Sequence, residues 1–191
     1  MATQDRLPTG VGADNSWASG TAGNKWDDVD DPIGTPDEDT TYIVETTSYQ
    51  SQTFTFTAFS ITSSAIDKVS ITNRLKCVGT VSYQNRLRVN GTSYNSSTAA
   101  TTTSYVDYTT DWLTNPNTAA AWVEADVEGV GANPLQQFGV IVSTIDASEE
   151  LRCTQSYITV TYTEAGGGGV TYPQLERGIR GVERGVYSGG L

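Results

Sequence analysis

A chain of 191 residues with eleven Lys and Arg against 22 Asp and Glu has a formal charge of −11, so no basic stripe is available to neutralise a phosphate backbone and direct nucleic-acid binding is not expected. There is no histidine, which removes the commonest general base and the commonest metal ligand. No apolar run approaches the roughly 20 residues that span a bilayer, so a soluble protein with no membrane partner and no cofactor is expected, one β domain of about 120 residues with length left over for arms.

Residues 1–40 are polar and rich in Gly, Asp and Pro, with no hydrophobic period sustained long enough to define an element. They predict an extended N-terminal arm, and Met1 to Val11 lacks the basic and apolar blocks of a signal peptide. Trp17 and Trp26 stand out, since large aromatic rings have little use in a solvated tail. Each is expected to be a partner-binding anchor, on the domain or on a neighbouring molecule. Asp27, Asp28, Asp30 and Asp31, followed by Asp37, Glu38 and Asp39, offer the oxygen ligands that calcium takes. They lack the alternating spacing and central Gly of an EF-hand loop, so the expectation is a solvated acidic segment with no metal.

Residues 41–164 change to Thr-rich alternation, clearest in Thr53-Phe54-Thr55-Phe56-Thr57-Ala58-Phe59 and Ile158-Thr159-Val160-Thr161-Tyr162-Thr163. Val69, Ile71 and Leu75 keep the same period, as do Phe138, Val140 and Val142. Shorter strands are predicted at Tyr42 to Glu45, Tyr83 to Val89 and Tyr105 to Tyr108. Seven or more half-buried strands imply an all-β fold, a two-sheet antiparallel β-sandwich of jelly-roll type with extended N-terminal and C-terminal arms. Asn90-Gly91 predicts a tight hairpin. Ala119 to Val127 is the one helical candidate, capped by Asn117 or Thr118. Trp112 and Trp122 are expected in the core, the alternative being a ligand-stacking platform, and Asp126 is placed to cap or hydrogen-bond the following loop. A phase slip between Leu151 and Tyr162 predicts a bulge near Thr154 to Tyr157. Cys77 and Cys153 carry no CxxC spacing, leaving either one disulfide or two buried thiols.

Residues 165–170 contain a four-glycine run, a linker. In residues 171–191, Leu175, Ile179, Val182 and Val186 fall at intervals of four, three and four, with Tyr172 and Tyr187 nearby. Gly178, Gly181 and Gly185 interrupt that stretch, each costing about 1 kcal/mol in a helix interior. The expectation is a partner-binding tail that orders only on another molecule.

Several blocks in this order, Asp37-Glu38-Asp39-Thr40-Thr41-Tyr42-Ile43, Trp112-Leu113-Thr114-Asn115-Pro116-Asn117-Thr118 with Ala121-Trp122 and Asp126-Val127, Phe138-Gly139-Val140, and Cys153-Thr154-Gln155-Ser156-Tyr157-Ile158-Thr159-Val160, resemble a module of tailed-phage structural proteins. The resemblance spans residues 14–163. It implies a place on the virion surface, as a capsid decoration (cement) protein or a head or tail fibre component, and brings no catalytic residues. The expected partner is the major capsid protein or another virion protein, with a homo-oligomer such as a trimer. The alternative is a fibre or receptor-binding module recognising host glycans, for which Tyr94, Tyr105 and Tyr108 are candidate platforms. An enzyme is not expected, since the sequence has no GxSxG elbow and no Gly-rich phosphate loop opening a helix.

Overall fold

The computed structural model describes residues 1–21 and 23–165. The chain runs β1 (Ala2–Arg6), β2 (Pro8–Asn15), β3 (Ala18–Ser19), β4 (Ile43–Glu45), β5 (Ser51–Phe56), β6 (Ser63–Val78), β7 (Ser82–Val89), β8 (Thr92–Asn95), β9 (Ala99–Ala100), β10 (Val106–Trp112), α1 (Glu124–Val127), β11 (Leu135–Thr144) and β12 (Glu150–Glu164). One sheet has the order β10-β6-β12-β4-β3, with β1 also on β12, and the other has β2-β5-β11-β7-β8, with β9 also on β7. Every pairing is antiparallel.

From β4 onward the chain crosses between sheets at every connection except those from β7 through β8 to β9. The result is β4-β12-β6-β10 facing β5-β11-β7-β8, the two four-stranded layers of a jelly roll. Period-two patterning builds its core: Val69, Ile71 and Leu75 of β6 and Ile158 and Val160 of β12 are fully buried, as are Leu87 and Val89 of β7 and Phe138, Val140 and Val142 of β11. Phe54 of β5 tilts against Phe138, ring centroids 6.1 Å apart.

Inward polar residues break the apolar series on four strands, Gln52 of β5 and three that are bonded to one another. The Asn73 amide of β6 donates to Asn85 Oδ1 of β7 (2.9 Å) and to the Gly139 carbonyl of β11 (3.1 Å), while its Oδ1 accepts the Ser156 hydroxyl of β12 (2.6 Å). Asn85 Nδ2 in turn reaches the Tyr108 carbonyl and Thr110 Oγ1 of β10, both at 3.0 Å. Low dielectric strengthens a network whose members are satisfied, and this one ties the sheets together in a unique register.

The expected N-terminal arm is corrected by the structure. Residues 2–6 pair with Tyr162 to Ile158 of β12, and β2 adds to the edge of β5, so the sandwich begins at residue 2 rather than 41. Edge strands are held by backbone bonds and need no apolar alternation, which is why no period was visible. Gly10 and Gly12 allow the approach: a Cβ on Gly10 would lie 2.8 Å from Thr55 Oγ1, and one on Gly12 would collide with Thr53 Oγ1. Arg6 fastens the corner by donating to the Thr57 carbonyl (3.0 Å) and sitting 5.0 Å over the Phe59 ring.

Other local expectations divide. Asn90 and Gly91 both take positive φ, 48° and 77°, and join β7 to β8 in the predicted hairpin. The register of β12 against β6 shifts between Cys153 and Gln155, placing the bulge at Thr154. The helix is shorter than expected, four residues beginning after Val123, because Ala119 adopts φ 59° and Asn115 instead organises a turn by accepting the Asn117 N–H. Neither Asn117 nor Thr118 caps it.

Candidate functional site

The structure separates the residues expected to bind partners. Trp17 is fully buried between β2 and β3, its Nε1–H donating to the Gln50 carbonyl (3.2 Å), so it anchors the chain to its own domain and is closed to any other molecule. Trp26 is partly buried against the core and lines a groove of about 300 Å³ with Val11, Asn15, Gly23, Asn24 and Lys25. Tyr172, Leu175, Ile179, Val182, Val186 and Tyr187 lie outside the described residues.

The groove is built where the chain leaves β2 and loops back through residues 23–27. Asn24 starts a tight turn whose carbonyl accepts the Asp27 and Asp28 N–H groups (3.0 and 3.1 Å). That turn presents Lys25, whose ammonium donates to Asn15 Oδ1 (2.7 Å) and to the Asn15 carbonyl (3.2 Å). Burial pushes the Lys25 ammonium below the usual lysine range, an effect opposed by the nearby Glu45 carboxylate. The side chains of Asn15 and Asn24 are exposed. Only Trp26 carried a signal in the sequence; Asn15, Asn24 and Lys25 are ordinary surface residue types whose meeting depends on the β2 register.

A second polar assembly covers the outside of the β6-β12 sheet. Thr154, at the bulge, donates to the Glu38 carbonyl (2.7 Å), and Gln155 Nε2 donates to the Asp31 and Pro32 carbonyls (2.9 and 3.0 Å). These bonds lay the 28–41 segment across the strands. The carboxylates expected to be solvated are therefore largely engaged: Glu38 pairs with Arg74, and Asp39 pairs with Lys76 and Arg152 and accepts the Tyr105 hydroxyl. The Lys76 ammonium, with Arg152 and Tyr105 beside it, holds the Asp39 carboxyl below the usual range. Asp28 is buried and accepts the Thr21 hydroxyl (2.6 Å). Asp30 and Asp31 are held above the ordinary range, chiefly by burial.

The tyrosines considered as sugar platforms have structural work. Tyr94 donates to Asn117 Oδ1 (2.7 Å), Tyr105 to Asp39, and Tyr108 packs on Tyr83 with centroids 4.9 Å apart. Trp122 is buried and donates to the Trp112 carbonyl (2.9 Å), and Asp126 accepts from the Asn115 amide and the Asn133 N–H, as expected of packing residues. Cys77 and Cys153 are two buried free thiols, so the disulfide alternative does not hold. They lie on neighbouring strands but out of register, Cys77 opposite Leu151 and Cys153 opposite Leu75. Burial pushes the Cys153 thiol far up, away from the thiolate a reactive cysteine needs.

No protein-family model matches the chain, and no curated protein sequence matches it. Among solved structures it is similar to the CBM36-1 domain of a multidomain xylanase from the hindgut metagenome of Trinervitermes trinervoides, with a TM-score of 0.41 and 10% identity over 86% of this chain and 100% of that one. A likeness this distant carries no argument about activity.

Proposed function

We propose that the protein is a non-catalytic structural module of a tailed-phage particle, a decoration protein on the capsid surface attached through the segment after β12. The observation that supports this reading is the division of the chain. Residues 2–164 are used by a two-sheet body in which each sheet is tied to the other through Asn73 and Asn85. The spaced apolar set Leu175, Ile179, Val182 and Val186 then follows a four-glycine run. A compact acidic body resists unwanted association, and a short tethered recognition segment gains affinity when several copies engage one shell.

The blocks that resemble the phage module have coherent roles in this fold. Asp37 to Ile43 straps the outer sheet, Trp112 to Asp126 closes one end, and Cys153 to Val160 supplies the bulge that receives the strap. Co-sedimentation with assembled, undecorated heads tests the proposal. Full-length protein is expected to bind stoichiometrically, and a chain ending at Ala165 is expected to stay in the supernatant while keeping its β-sheet circular dichroism. Equal binding by both chains refutes attachment through the tail.

A further inference from the structure

We infer that the groove beside Trp26 is a binding site for one pyranose ring of a neutral glycan. The attachment proposal uses other residues, so the two can fail separately.

The groove combines features that sugar recognition needs. Its volume of about 300 Å³ suits a single ring rather than an extended peptide. Trp26 and Val11 give an apolar wall against which the C–H face of a sugar can lie, and Trp26 is held by packing on the core rather than free to rotate. On the residues that line the groove, the Trp26 Nε1–H, the Asn24 carboxamide and Asn15 Nδ2 have no hydrogen-bond partner among the described residues, whereas the indole N–H groups of Trp17 and Trp122 both do. They offer donors and an acceptor to hydroxyls, which are both. Among the described residues, no carboxylate lines the groove.

Electrostatics selects the neutral class. Two of the three Lys25 protons are committed to Asn15, so the ammonium positions the Asn15 amide more than it offers a free charge. The chain's formal charge of −11 repels anionic sugars and phosphates on approach.

The test is titration of the full-length protein with methyl glycosides of glucose, galactose, mannose and N-acetylglucosamine, and with sialic acid, following the four indole N–H signals by NMR. At least one neutral glycoside is expected to shift the Trp26 indole saturably and leave Trp17 and Trp122 unmoved. Trp26→Ala is expected to weaken binding by at least about tenfold, the equivalent of one lost stacking contact. Asn24→Ala, at an exposed side chain, is expected to weaken it several-fold, which keeps the test decisive even where Trp26→Ala disturbs folding. Absence of any Trp26 shift with the neutral panel, a response to sialic acid alone, or binding unchanged by Asn24→Ala overturns the inference.

Discussion

Replacing Asn73 by Leu probes the inter-sheet network at its centre. The side chain is fully buried and similar in size to Leu, so the substitution removes hydrogen bonds without opening a large cavity. It orphans Asn85 Oδ1 and the Ser156 hydroxyl, whose partner in each case is Asn73, while the Gly139 carbonyl remains within the ladder of β11. At about 2 kcal/mol for each stranded group the loss is about 4 kcal/mol, and the added apolar side chain returns about 1.5 kcal/mol. The net cost of about 2–3 kcal/mol is a large share of a typical domain stability of about 5–15 kcal/mol. Urea unfolding should show a lower midpoint with an unchanged slope. Ser156→Ala alone should cost about 1 kcal/mol, yet added to Asn73→Leu it should restore stability by removing one stranded hydroxyl. A single Asn73→Leu variant as stable as the parent, or a double variant showing simple additivity, would refute the network's role.

Trp17→Ala should destabilise the fold by about 3–5 kcal/mol, and deletion of residues 1–20 should leave an unfolded or insoluble chain; a soluble, cooperatively melting truncation would show that β1 to β3 are dispensable. The two thiols should be silent to a thiol reagent in native buffer and both titrate in denaturant, whereas no titration in denaturant would reveal a disulfide. Stability should depend on pH in two opposed ways. Asp30 and Asp31 have folded pKa values raised above their ordinary 3.8, so acidifying from neutral through that raised range toward 3.8 should increase stability, and Asp30→Asn with Asp31→Asn should flatten this limb. Asp39 and Asp111 are lowered, so their contribution is complete above 3.8 and lost as pH falls through their folded values. A melting temperature that falls monotonically from pH 7 downward would contradict the first half.

The strands legible in the sequence were those with one face in the core. Phe54 and Phe56, Ile158 and Val160, and Phe138, Val140 and Val142 recur at period two because most inward positions are apolar, the buried Gln52, Asn73, Asn85 and Ser156 being the polar ones. The first strands were illegible for the opposite reason. Residues Ala2 to Arg6 and Pro8 to Asn15 lie at sheet edges, with side chains that, after the buried Pro8, alternate between half-buried and exposed, and their attachment is through backbone pairing and the close approach at Gly10 and Gly12. Trp17 was recognised as an anchor, but whether it served this domain or a neighbour depended on strand pairings that no local pattern encodes. The Trp26 groove illustrates the same limit, since Asn15 and Lys25 meet only after β2 has taken its register on β5. Asn73 carried no signal in the sequence, because its partners come from three other strands.

Amide hydrogen exchange, compared between free protein and protein bound to assembled heads, tests the central claim most directly. Protection should be unchanged along β5, β6, β11 and β12 and should increase in residues 171–187 on binding. Gains spread over the sheets with none beyond residue 170 would contradict a rigid jelly roll held to the particle by its C-terminal segment.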